Sequence, residues 1–458
     1  MNFLKKIPFS FFVLIFVSLI LCIHNYTKSP WKEKKIIQND TQIYYSYLPA
    51  TLIENDPLFE NKSLYDSISK YWTIDTPIGR NTPKMTMGIA FLQFPFFILA
   101  DNYTKSHKRY SRDGFSKPYQ LAFTLGTLFY VILGLVGLYI FLSSRFSDLV
   151  VAFTLIFIAF GTNLYFNTIY DPGSSHTYTF FLLVCMLLLT EKWLKHKTFL
   201  TSCLIGFVFG LIVLIRPVNI LFAIPIFLLF KTPSSQWKSY FLLWFENKKS
   251  ILFVLISAFL VWLPQLVFWK IQTGHFLYYS YNDEGFFWLK PHIFDGLFSF
   301  RKGWFIYTPM MFFALFGMFR LYKTRKEMFW AISIFLPIFL YVTFSWWCWW
   351  YGGSFSARTL IDILPFMSLP LAAVLEWIFI KKVRALLMLL PFAFIYLNLF
   401  QSWQFSKGFL HYDSMTYEGY KESFLHSYTT VEYFQKLRTP DYENAKKYGI
   451  EKKLKPVL

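Results

Sequence analysis

Apolar runs of membrane-spanning length recur along almost the whole chain, and nothing else in the sequence constrains its fold as tightly. They fall at 7–23, 119–142, 149–166, 174–191, 199–215, 218–230, 250–269, 304–321, 327–345, 359–380 and 385–400. Hydrocarbon offers backbone N–H and C=O groups no water, so a crossing segment must satisfy them internally, as a helix does. A helical crossing takes about 20 residues and a barrel strand roughly 10; these runs match the helix. The expectation is an all-α polytopic membrane protein with about eleven transmembrane helices.

Composition agrees, with 55% hydrophobic and 16% charged residues. A formal charge of +19 would point to nucleic acid in a soluble protein. Here the Lys and Arg residues sit mostly in short loops, where they orient the chain and meet lipid headgroups, so membrane lipids and no nucleic acid are the expected partners. Cys22, Cys185, Cys203 and Cys348 show no metal or redox spacing, and no His or Cys cluster offers a transition-metal site. No cofactor is expected; a divalent ion shared by Asp40 and Asp171 has no motif behind it. The opening MNFLKKIPFSFFVLIFVSLILCI resembles a signal peptide but lacks a small-residue cleavage site, and reads as a first helix.

A further apolar run at 85–100 is only 16 residues long. If it does not cross and the N-terminus is cytoplasmic, inner connections carry 17 Lys and Arg residues and short outer ones carry 6. Crossing would reverse that bias, so the run reads as an interfacial helix within a long first outer loop, 24–118. Residues 1–400 then form a membrane-embedded catalytic domain, and 401–458 a short outer-face tail. No internal repeat is visible, which disfavours transporters built from duplicated halves.

This topology gathers the unusual chemistry on one face: the Asp40 stretch QNDTQIYYSY, Arg80 and Lys84 in PIGRNTPK, Asp171 and His176 in YDPGSSH, Arg216-Pro217, Arg301 in FRKGW, and SWWCWWYGGSFSAR ending at Arg358. Each has an ordinary reading taken alone. A loop Asp is usually solvated, a Lys or Arg at a helix end snorkels to headgroups, interfacial Trp residues anchor, and Asp171 before Pro172 can cap a helix. Together, five cations, two acids and a Gly-Gly backbone suit an anionic, phosphate-bearing substrate presented from a bilayer.

These residues resemble the GT-C superfamily of polytopic glycosyltransferases, which includes protein O-mannosyltransferases and aminoarabinose transferases. The resemblance rests on Asp40 in the first outer loop, Lys84-x-x-x-Gly88 opening the interfacial helix, Asp171 in the next outer turn, and Arg216-Pro217. WWYGGSFSAR followed by LPFMSLPLA is similar to a turn of bacterial members. Thr41 stands where the mannosyltransferases carry the Glu of an Asp-Glu pair. The resemblance implies transfer of a sugar from a polyprenyl-phosphate-linked donor to a lipid, glycan or protein acceptor, on the extracytoplasmic face of a bacterial inner membrane. It implies Asp40 as general base with Asp171 next in line. Lys84 and Arg358 would hold the lipid phosphate, with Arg80, Arg216 and Arg301 behind them. Tyr44, Tyr45, His176, Trp347 and Trp350 would line the substrate pocket. A polyprenyl-linked oligosaccharide polymerase or ligase, or a lipid flippase or transporter, shares part of this pattern.

The charge bias makes a direct prediction. In a cysteine-free background, Asn55→Cys and Gly353→Cys should react with a membrane-impermeant thiol reagent added outside, and Lys195→Cys should not. Labelling of 195 with protection of 353 would invert the topology.

Overall fold

The computed structural model describes residues 7–33, 36–61, 72–230, 240, 246–452 and 454–457. Lys5, Lys6, Lys231 and Lys238, which entered the charge count, lie outside the described residues.

Every expected span contains a helix. Among the described residues, six helices are long and apolar enough to cross a bilayer on their own: the N-terminal one (Phe9–Lys28), Lys117–Ser143, His176–Lys195, Lys248–Thr273, Lys326–Phe344 and Arg384–Ser406. The others are shorter for local reasons. The 149–166 run breaks at Gly161 into Asp148–Phe160 and Leu164–Ile169. Pro217, which has no N–H to donate, closes Phe199–Ile215 and opens a 3-10 turn, Pro217–Phe222, ahead of Ala223–Leu229. Pro309–Thr324 begins on a proline and Leu364–Phe379 carries Pro365 as its second residue, and the fixed φ of proline suits the first turn of a helix.

Lipid tails are as apolar as leucine, so helices in a membrane associate through close packing of small residues. Gly206-x-x-x-Gly210 faces the Lys248–Thr273 helix at Val254, Ser257 and Ala258, and Ser257 Oγ donates to Cys203 O at 2.7 Å. Partly buried charge is paired between other helices and their flanking turns: Arg325 with Glu376 and Arg145 with Glu191, both at 2.9 Å.

The 85–100 run forms a 19-residue helix, Gly88–Ser106, that extends past the apolar stretch and contains Pro95. It packs on Lys117–Ser143, with Gln93 Nε2 donating to Phe123 O at 3.0 Å and Tyr130 Oη donating to Leu92 O at 2.7 Å. At its end, buried Asp101 receives Arg112 (2.8 Å), Lys105 (2.7 Å) and Tyr119 (2.8 Å). Two of the basic residues ahead of the next helix are therefore spent on an internal carboxylate.

Beyond Ser406 the chain folds rather than trailing. Three short helices (Tyr417–Ser423, Val431–Lys436, Tyr442–Tyr448) and a two-stranded pairing of Arg438–Thr439 with Lys455–Pro456 enclose a small core. Leu410, Met415, Tyr433 and Leu437 join Phe166, Tyr307 and Phe355 there. Ion pairs fix this unit to the loop before Trp304: Arg301–Glu451 and Lys446–Asp283, both at 2.7 Å. The ammonium of buried Lys302 donates to the carbonyls of Ser354 and Tyr412.

A methyl group at Gly206 would sit 2.1 Å from the Val254 carbonyl, where backbone must move, whereas one at Gly285 meets nothing within 4 Å. Gly206→Ala should cost about 1–3 kcal/mol through overpacking and Gly285→Ala much less. Thermal unfolding of the detergent-purified variants checks the contrast.

Candidate functional site

Asp40 opens a short helix, Asn39–Tyr45. Asn39 has φ 51°, a left-handed conformation that Asn tolerates better than most residues, and it turns the chain into that helix. The helix lies against the Tyr170–His176 turn: Thr41 Oγ1 donates to Gly173 O at 3.1 Å, and a Cβ on Gly173 would meet Thr41 Oγ1 at 2.1 Å. Pro217 sets the next wall, since the residue before a proline is held extended. Arg216 has φ −149° and ψ 116°, and its Nε donates to Ser175 Oγ at 3.1 Å. Lys84 arrives on the segment entering Gly88–Ser106. There Thr86 Oγ1 donates to Leu214 O, Met87 N–H donates to Gln265 Oε1 at 2.9 Å, and Gly88 lies so near Ile215 that a Cβ would be 2.7 Å from its nitrogen.

The tryptophan-rich turn closes the far side. Tyr351 (φ 53°), Gly352 (φ 66°) and Ser356 (φ 56°) reverse the chain in left-handed conformations. Trp347 N–H donates to Gly285 O (3.0 Å) and Phe287 N–H to Ser345 O (2.7 Å), so residues 284–287 run beside 345–347.

These elements enclose a cavity of about 520 Å³. Asp40, Lys84, His176, Arg216, Glu284, Arg358 and Asp362 line it, with an aromatic wall that includes Trp269, Phe286, Phe339, Trp346 and Trp347. Its ionisable groups meet in pairs. Arg358 Nη2 lies 2.7 Å from Asp40 Oδ2. Lys84 pairs with Glu284 and lies 5.0 Å from the Tyr281 ring centroid. His176 Nδ1 is 2.9 and 3.0 Å from the two Asp362 oxygens. Asp40 keeps 38% side-chain exposure, at a position on the cavity wall. Burial pushes its carboxyl up, and Arg358, Arg216 and Lys84 outweigh that, holding it below the usual carboxylate range.

Asp40, Lys84, Arg216, Arg358, His176 and Trp347 thus meet at one cavity. The other sequence candidates sit elsewhere. Arg80 is 44% exposed and 4.0 Å from Glu60. Arg301 is buried under the tail, on Glu451 and over the rings of Trp349 and Trp350. Tyr45 is core, packed on Phe97, Phe115 and Phe123 with its hydroxyl on Gly114 O at 2.8 Å. Trp350 is buried against Tyr442, with ring centroids 5.3 Å apart. Tyr44 is buried next to the cavity, near Arg216 and Tyr281. Asp171 closes its turn through its backbone, accepting from Ser174 N–H at 3.3 Å, and does not line the cavity. Ser175 takes the helix N-cap position. Asp171 is thus absent from the cavity that Asp40 lines, and among the described residues no three His, Cys, Asp or Glu side chains converge as metal ligands.

Three contributors had no motif. Glu284 receives Lys84 and, at 3.0 Å, Trp347 Nε1–H. Asp362 fixes His176, and Tyr442 reaches the wall from the tail. The signal for Glu284 was a repeated tetrapeptide: Tyr-Tyr-Ser-Tyr occurs at 44–47 beside Asp40 and again at 278–281 just before Asp283-Glu284.

No protein-family model matches the sequence, and no curated protein matches it. Among solved structures, the archaeal oligosaccharyltransferase AglB from Archaeoglobus fulgidus, in complex with an inhibitory peptide and a dolichol-phosphate, superposes with a TM-score of 0.51. The chain shares its fold with that oligosaccharyltransferase chain. The match covers 92% of this chain and 58% of the AglB chain at 14% identity. At that identity the likeness is one of architecture, and the chemistry has to be argued from the cavity itself.

Proposed function

We propose that the cavity is the active site of a membrane glycosyltransferase. It moves a sugar from a polyprenyl-phosphate-linked donor to an acceptor hydroxyl at the extracytoplasmic face. The observation that carries this reading is the pairing of Asp40 with Arg358 at 2.7 Å, in a cavity that Lys84 and Arg216 also line. A carboxylate supplies a proton acceptor, three cations suit a phosphate, and the aromatic wall suits an isoprenoid chain and a sugar face. The neighbour of the same fold was captured with a dolichol-phosphate, which is support of the same kind.

In this mechanism the acceptor oxygen attacks the anomeric carbon while Asp40 takes its proton. The bond from that carbon to the phosphate oxygen breaks, and the polyprenyl phosphate leaves with the electron pair. Cations placed where charge develops, in a site that excludes water, stabilise the departing phosphate. Arg358 has two suitors. A donor phosphate competes with Asp40 for its guanidinium, and as it wins, burial makes Asp40 a stronger base. A base held too acidic in the free protein would thus gain basicity when the donor is bound. The identity of the sugar follows from a knockout strain, as the lipid-linked sugar that accumulates.

Two substitutions separate the roles. Asp40→Asn keeps shape and removes the proton acceptor, so turnover should fall about 10²–10⁴-fold with donor binding retained. Lys84→Ala should weaken donor binding by about 2–5 kcal/mol, by analogy with other broken buried charge pairs. Near-normal transfer by Asp40→Asn would move the base elsewhere.

The pH dependence carries a sign. Because Asp40 is held low in the free protein, the acid limb of kcat/KM should lie below the ordinary carboxylate value of about 3.9. Arg358→Ala removes the nearest of the outweighing cations, so the limb should move to higher pH and activity should be lost earlier on acidification. An unmoved limb means that Asp40 is not the group that titrates.

A further inference from the structure

Asp40, Lys84 and Arg358 account for a proton acceptor and a phosphate. They do not account for the cavity's other polar atoms. His176, Asn219, Arg358 and Thr359 all line it, and each carries a buried atom with no protein partner: Nε2, Oδ1, Nε and Oγ1 respectively. Tyr44 Oη, beside Arg216 and Tyr281, is in the same condition. Leaving a buried donor or acceptor unmade costs about 1–3 kcal/mol, and several on the lining of one cavity are an arrangement that awaits a polar occupant.

His176 is the best defined of them. It is the first residue of the His176–Lys195 helix and 1% exposed. Its Nδ1 is committed to Asp362 at 2.9 and 3.0 Å, which fixes the ring and leaves Nε2 as its single unspent valence. The carboxylate that fixes it comes from the segment entering Leu364–Phe379, so the ring is clamped between two helix ends. Whichever way the Nδ1 proton is shared with Asp362, Nε2 offers either a lone pair or an N–H. A phosphate oxygen satisfies only the second. A hydroxyl satisfies both, and hydroxyls equally suit the carbonyl oxygen of Asn219 and the hydroxyls of Thr359 and Tyr44.

We infer that His176, positioned by Asp362, binds a hydroxyl of the sugar carried on the donor lipid, and that these unpartnered groups select the donor by its sugar rather than by its phosphate or lipid. The inference rests on the cavity being a lipid-linked sugar site and deepens that reading.

The test compares two probes on the full-length protein in detergent: bare undecaprenyl phosphate, and the same lipid phosphate carrying a panel of hexosyl, pentosyl and aminosugar groups. Wild type should bind at least one glycosylated lipid more tightly than the bare one. His176→Asn places an amide near Asp362 but stops short of Nε2, and it should lose that sugar-dependent gain, about tenfold for one buried hydrogen bond, while binding bare lipid as wild type does. His176→Gln, which reaches further, should restore part of it. A general loss of fold would lower both affinities together and overturn the assignment. Equal sugar-dependent gains in wild type and His176→Asn overturn it too, as does a wild type that gains nothing from any sugar in the panel. Failure of wild type to bind bare undecaprenyl phosphate, together with failure to bind every glycosylated form, removes the glycosyltransferase reading itself.

Discussion

A carboxylate and a guanidinium 318 positions apart in the chain meet at 2.7 Å, and the polar half of this protein is organised around that contact. Bringing charge into an apolar bundle is tolerable only where opposite charge and hydrogen bonds meet it. Asp40 comes from the loop after the first helix and Arg358 from the turn that ends the tryptophan cluster. Holding them together requires the Thr41–Gly173 contact on one side and the strand-like pairing of 284–287 with 345–347 on the other. The Lys84–Glu284 and His176–Asp362 pairs repeat the arrangement. Asp40, Glu284 and Asp362 face Lys84, Arg216 and Arg358 around one cavity, each acid delivered by a different segment. That balance lets a nearly neutral cavity receive an anion by exchanging partners instead of by burying new charge.

The helical framework was legible because hydrocarbon leaves the backbone so few options. Runs such as 250–269 and 327–345 became helices close to where they were read. Boundaries moved where a local feature competed, as at Gly161 and at Pro217. The 85–100 helix runs on to Ser106 because the polar residues Asp101 and Thr104 are satisfied internally through Tyr119, Lys105 and Arg112.

The site was readable to the extent that sequence motifs carry charge at chain reversals. Asp40, Lys84, Arg216 and Arg358 each sit beside a turn signal, and each lines the cavity. Arg80 and Arg301 have the same local appearance, but one faces outward near Glu60 and the other is taken by Glu451 from the tail. Nothing local distinguishes a cation that faces a cavity from one consumed by a distant acid, because the partner is set by tertiary folding. The same reason hid Glu284, Asp362 and Tyr442, whose roles exist only across elements far apart in the chain. Fold and chemistry also separate here. The architecture is shared with AglB, while the charge pairs belong to this chain's own side chains.

Tyr442 lines the cavity from a short helix near the chain's end, where its hydroxyl donates to Asp413 at 2.9 Å and Trp350 Nε1–H lies 3.4 Å from it. Synthesis runs from the N-terminus, so the Asp40 loop, the Lys84 segment and the tryptophan turn are all in place while this helix is still inside the ribosome. The cavity wall is therefore finished last, by a piece that reaches it only after the membrane bundle has assembled. A chain halted or clipped before residue 442 would insert and hold most of its charge pairs, yet keep its cavity open on one side. Closure of the cavity is in this way tied to synthesis of the segment that carries Tyr442.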